Sequence, residues 1–153
     1  MPTKTTTFAT NDILTANDLN SLAGGWNAYT PALGGFTAGN GTAAGAYLQF
    51  GKLVIFRASF TFGSTSAAAT TSPTLTLPVT ATGLSYGGIL LATFHDASAS
   101  TSYSAFARTQ LATGTVAASI SGTNGIMTSC TTTTPFTWAV GDKVEIFGVY
   151  EAA

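Results

Sequence analysis

From Leu53 to Phe62, Val54, Phe56, Ala58, Phe60 and Phe62 fall on one side of the chain, and Arg57, Ser59 and Thr61 fall on the other. A period of two belongs to a half-buried β-strand, so this stretch is read as a strand whose Phe side faces a core. The run Ala46 to Phe50 precedes it. The Gly51-Lys52 pair between the two runs is the Gly-X step of a type II′ hairpin turn. Further strands are predicted at Leu75 to Val79, Ile89 to His95, Tyr103 to Leu111, Val116 to Ile120 and Lys143 to Tyr150, separated by Gly, Pro, Asn and Ser clusters. Pro73 and Pro78 bracket the Leu75/Leu77 alternation and mark that strand as short or peripheral, because proline cannot donate to a ladder. Ser64 to Ser72, Asp96 to Ser102 and Thr131 to Thr134 are small and polar and read as surface loops or subunit contacts.

The N-terminal end has a different pattern. Met1 to Thr10 is polar and Thr-rich and cannot bury enough apolar surface to order alone. Ile13 to Leu22 reads as one short helix, with Thr15 as N-cap, Asp18 three residues on, and Leu14 and Leu19 placed as a hydrophobic staple. Gly24-Gly25 ends it after about two turns, too few for stability in water without a docking surface. Everything from Trp26 onward lacks a sustained helical period. The pattern predicts an all-β domain: an antiparallel β-sandwich of the jelly-roll kind, preceded by a short arm and helix.

Length keeps this to one folded domain, since 153 residues suit a single core. Only 7% of the residues are charged, against roughly 25% in ordinary domains, and Thr fills 29 positions. A net charge of −1 supplies no field to hold a phosphate backbone or an anionic membrane, which argues against nucleic acid as a partner. So few charges leave little repulsion between copies, and the chain is expected to assemble. Cys130 is the only cysteine, so no intrachain disulfide and no multi-cysteine metal site can form. No window approaches the roughly 18 apolar residues of a membrane span, so the chain is expected to be soluble when synthesised.

Six stretches in order carry a resemblance: Thr7 to Asn20, Trp26-Asn27-Ala28-Tyr29-Thr30-Pro31, Gly39-Asn40-Gly41-Thr42, Tyr47 to Lys52 leading into the long strand, Leu75-Thr76-Leu77-Pro78-Val79, and Pro135 to Asp142 followed by Gly148-Val149-Tyr150-Glu151. Together they resemble the small β-sandwich structural proteins of tailed bacteriophage particles. The resemblance implies a virion protein made in the host cytoplasm, commonly trimeric, found as a minor tail, fibre or head-decoration component, and without enzymatic residues or cofactors. It implies that residues 1–25 attach the chain to other virion proteins, through Phe8, Ile13, Leu14, Leu19 and Leu22, while residues 26–153 form the displayed sandwich. Long fibres of this kind carry shaft repeats or heptads before the head domain; this chain has neither, which points to a short knob near the particle surface.

Candidate chemistry is sparse. His95 and Asp96 are neighbours on a predicted strand, so their side chains point to opposite faces and cannot form an acid–base pair. Cys130 has no cation or imidazole nearby in sequence to activate it and reads as a small buried hydrophobe. Asp12, Asp18, Asp96, Asp142, Glu145 and Glu151 show no local metal-loop or paired-carboxylate spacing. The glycines at 34, 35, 39 and 41 lack the following helix and Lys of a phosphate cradle and read as turns. Among the aromatics, Tyr86 and Tyr103 sit near Gly- or Ser-rich loops and are the candidates for contact with a host glycan or partner. A carbohydrate-binding module is therefore the rival of a different class, and capsid decoration the rival of a tail role. Arg57 and Arg108 interrupt neutral strands, and a guanidinium placed so reaches solvent or pairs across a subunit boundary with a carboxylate such as Asp96 or Glu145.

Overall fold

The structure, a computed structural model, describes residues 25–82, 89–109, 114–121 and 126–153, together with Ile13 and Ala16. About 57% of the described residues lie in strands or β-bridges. The strands are β1 (Asn27–Tyr29), β2 (Leu33–Gly34), β3 (Thr42–Phe50), β4 (Leu53–Thr61), β5 (Thr74–Thr76), β6 (Ile89–Asp96), β7 (Thr101–Thr109), β8 (Thr115–Ser121), β9 (Met127–Thr128) and β10 (Lys143–Glu151). All seven strands expected from the sequence are present, with β5 shorter than expected. The two- and three-residue strands β1, β2 and β9 are additional. The expected helix at Ile13 to Leu22 and its Gly24-Gly25 stop lie outside the described residues apart from Ile13, Ala16 and Gly25.

These strands form one antiparallel, curled sheet in the order β1-β3-β4-β10-β6-β7-β8-β5-β2, with β9 pairing on β8. The central position of β10, between β4 and β6, makes the last strand in sequence the middle of the sheet. Edge strands β1 and β2 are joined by residues 30–32 alone. A link that short spans at most about 14 Å, so the sheet must curl until its two edges approach one another. Pro31 is fully buried in that link, and Ala32 clasps β5 by accepting from the Thr76 amide at 3.1 Å and donating to Thr76 Oγ1 at 2.8 Å.

Curling encloses one face. Val54, Phe56, Ala58 and Phe60 of β4 meet Val144, Ile146 and Tyr150 of β10, Leu90, Ala92 and Phe94 of β6, Ala105 and Ala107 of β7, Val116 and Ala118 of β8 and Leu75 of β5 in one core cluster. The β4 alternation thus points its Phe side inward as its period demands. One end of this core is capped by loops. Trp138 stands at the centre of the cap, with the rings of Phe36, Phe62, Phe94 and Phe136 between 4.6 and 5.4 Å away. Its indole N–H donates to the Thr131 carbonyl at 3.1 Å, satisfying the one polar atom of that side chain.

Turns follow the expected chemistry. Gly51 has φ +56° while Lys52 keeps a negative φ, which is the type II′ combination. The Gly39-Asn40 turn is fastened to the loop 63–66: Asn40 Oδ1 accepts from the Thr65 amide at 2.9 Å, and Thr65 Oγ1 accepts from the Asn40 amide at 2.8 Å. Gly141 turns the chain into β10, and the buried Asp142 beside it accepts from the Ala139 and Ala97 amides.

Candidate functional site

The core occupies one face of the sheet, and the other face is open. Cross-strand register sorts that outward face into rows. Nearest the Gly51-Lys52 turn are Phe50, Leu53 and Glu151, followed by Leu48, Ile55 and Val149, with Arg108 on the same face of β7. The next row is Ala46, Arg57, Phe147, Leu91 and Phe106. Beyond it come Ala44, Ser59, Glu145, Thr93 and Ser104, and last Thr42, Thr61, Lys143, His95 and Ser102. The face is therefore mainly apolar at one end of the strands, with the exposed Glu151 and Arg108 standing there, and polar at the other.

Among the described residues, seven of the ten exposed large apolar side chains lie on this face: Trp26, Phe50, Leu53, Leu91, Phe106, Phe147 and Val149. Leu91 is 63% exposed in the middle of the sheet, although its register partners Phe147 and Phe106 flank it on both sides. A strand-centre leucine so open to water is unfavourable in a lone subunit, since each apolar Å² left exposed forgoes about 25 cal/mol. At the border between the two halves a groove of about 610 Å³ crosses β3, β4, β10 and β6, floored by Ala44, Ala46 and Ser59 and bordered by Leu91 and Phe147. Arg57 and Glu145 both open into it. The Arg57 guanidinium lies 5.4 Å from the centre of the Trp26 ring, a cation–π contact at the sheet edge.

The groups that could carry chemistry are scattered. His95 lies on the polar end of the outward face, where Nδ1 is 3.1 Å from Ser102 Oγ. Asp96 points the other way and closes its own turn, accepting from Ser98 Oγ at 2.7 Å and the Ala99 amide at 3.0 Å. Those bonds, the Ser98 hydroxyl first, hold its carboxyl below the usual carboxylate range. Cys130 is fully buried, as its neutral sequence surroundings suggested, and burial pushes its thiol up to about 12. The Tyr29 hydroxyl is a buried side-chain atom without a hydrogen-bond partner, and burial raises its pKa above the ordinary tyrosine value. Among the described residues no three His, Cys, Asp or Glu side chains gather closely enough to hold a metal ion, and no helix is long and apolar enough to cross a membrane.

Of the residues singled out from sequence, Phe8, Leu14, Leu19, Leu22 and Tyr86 lie outside the described residues. Ile13 is 87% exposed. Tyr103 is half-buried on the inward face of β7, its ring tilted over Phe136 with centroids 5.2 Å apart. Sequence reasoning passed over Leu91, Phe147 and Val149. The available signal was that β6 and β10 are apolar at both odd and even positions, a pattern of strands covered on two faces. Comparison with family models, with curated proteins and with solved structures gives no match.

Proposed function

We propose that this chain is a non-enzymatic structural protein of a tailed-phage particle, a homotrimer displayed on the virion surface and anchored through residues 1–25. The observation that carries the reading is the outward face: a sheet that leaves Leu91, Phe147 and Val149 in water is suited to being covered by other subunits. A net charge of −1 supports it, since neither long-range repulsion nor attraction to polyanions is built in. The scattered disposition of His95, Asp96 and Cys130 supports a role that needs no catalysis. The curled sheet, with β4 and β10 facing β8 and β5 through a common core, supports a displayed domain of the sandwich or jelly-roll kind.

In this reading the protein acts by burying surface between copies and against the particle. Removal of residues 1–25 leaves a folded sheet that fails to enter particles, as measured by its copy number in purified virions. A truncated chain that enters particles like the full one contradicts the anchoring role. Localisation in imaged particles separates tail from capsid: a few to some tens of copies mark a tail component, and tens to hundreds at symmetric positions mark a head-decoration protein.

A further inference from the structure

We propose that the apolar half of the outward face is the contact between copies of this chain, and that Arg57 of one copy pairs there with Glu145 of the next. This rests on the architectural reading above and deepens it by naming the surface and its register.

Area is the first argument. The seven exposed apolar side chains present on the order of 600 Å² together, with a free aromatic side chain at roughly 150–250 Å². That reaches the upper end of what a typical monomer exposes in one patch, about 300–600 Å². A specific protein contact buries about 800 Å² on each partner. Adding the small floor of Ala44, Ala46 and Ser59 brings the face close to that footprint.

Charge selects the occupant. Arg57 and Glu145 are both exposed, on adjacent strands, two residues out of register with one another: Arg57 pairs with Phe147 and Glu145 with Ser59. No ion pair forms among the described residues, so neither charge is answered within its own chain by a described side chain of opposite sign. A strongly acidic or basic partner would leave one of the two facing its own kind. A second copy brings both signs in the same spacing, so rotation about a symmetry axis sets each Arg57 against a Glu145. Apolar burial then supplies the affinity, and the ion pairs fix the register. A sugar is a poorer match, because Tyr103, singled out for glycan contact, packs on the inward side against Phe136 and the apolar rows of this face offer Leu, Val and Phe with few hydrogen-bonding groups.

Sedimentation velocity on the full chain tests this, beside Leu91→Lys/Val149→Lys, Arg57→Glu, Glu145→Arg and an equimolar mixture of the last two. All substituted residues are solvent-exposed, and the far-UV spectrum and unfolding midpoint report whether the fold is kept. The wild-type chain is expected to associate at micromolar concentration. The double-lysine variant sediments as a single subunit, and each charge reversal weakens association at least tenfold. The mixture recovers part of the association that neither reversal shows alone, because at two of the three contacts of a mixed trimer the charges at positions 57 and 145 then meet with opposite sign. A double-lysine variant that associates like wild type overturns the surface while leaving the architectural reading in place. If that variant loses its fold, the charge reversals decide, and a mixture no better than its components overturns the pairing. A wild-type chain that stays single overturns both, and glycan-array binding lost in the double-lysine variant assigns the face to sugar instead.

Discussion

The Tyr150 hydroxyl closes a ring with the backbone of Val79: it donates to the Val79 carbonyl at 2.7 Å and accepts from the Val79 amide at 3.2 Å. The central strand β10 thereby holds the segment after β5, beside the antiparallel Ala81–Ala152 bridge that ties the same segment to the chain end. Tyr150 is buried, and its ring meets Phe56 edge-on at 5.4 Å. Tyr150→Phe keeps that ring contact and leaves a backbone donor and acceptor without their partner. It is expected to cost about 1–3 kcal/mol of stability, read from a urea unfolding midpoint. A midpoint equal to wild type would show that water replaces the hydroxyl freely.

The same hydroxyl makes stability sensitive to alkali. Burial pushes Tyr150 from 10.0 up to about 12, and Cys130 from 9.0 up to about 12. With folded values raised, the unfolded chain releases these protons first. The stabilisation is therefore complete below about pH 9, is lost progressively as pH climbs towards about 12, and has no counterpart in mild acid. The unfolding midpoint is expected to stay level from about pH 7 to 8.5 and to fall above about pH 9. Tyr150→Phe should show a shallower fall above about pH 10, because only the thiol and Tyr29 then contribute. A midpoint that rises through this window contradicts the burial of these groups.

Asp142 offers a second polar clasp. Its carboxylate accepts from the Ala97 amide at 2.9 Å and the Ala139 amide at 2.6 Å, tying the turn after β6 to the entry of β10. Asp142→Ala removes the acceptor of both amides and empties the buried carboxylate site, while water can reach the exposed Ala97 and Ala139 backbone, and it is expected to cost about 1–3 kcal/mol, measured by thermal or chemical unfolding. Hydrogen exchange should quicken at both amides in the variant.

Gly148 sits on the inward face of β10, where a Cβ would overlap Leu90 Cδ2 and stand 3.0 Å from Leu90 Cβ. Gly148→Ala is expected to destabilise by about 1–3 kcal/mol through this overlap. Leu90→Ala alone leaves a cavity and costs about 2–5 kcal/mol. Combined, the two should cost clearly less than their sum, since the new methyl occupies space that Leu90 vacates. Strict additivity would mean that they do not meet.

How far the sequence revealed these relationships depended on periodicity. In β4, Phe56 and Phe60 alternate with Arg57 and Ser59, so strand, face and turn were all readable. In β10, Val144, Ile146 and Tyr150 interleave with Phe147 and Val149, so the strand was readable but the side facing water was not. Register with β4 and β6 decides that, and register joins residues far apart in the chain, as in Ile146↔Ala58. Trp138 lies in a loop with no period, so its place among four phenylalanine rings had no local signature. The edge strands β1 and β2 are too short for a period of two to repeat. The sequence allowed Arg57 or Arg108 to face Asp96 or Glu145 of a neighbouring copy without choosing between them, and the choice waited on β4 and β10 lying side by side.

Native mass spectrometry of the purified full chain tests the central claim, that this polypeptide is completed by its own copies, most directly. The account predicts a dominant species near three times 15.5 kDa at micromolar concentration. A dominant species at 15.5 kDa, unchanged as concentration is raised, would contradict it.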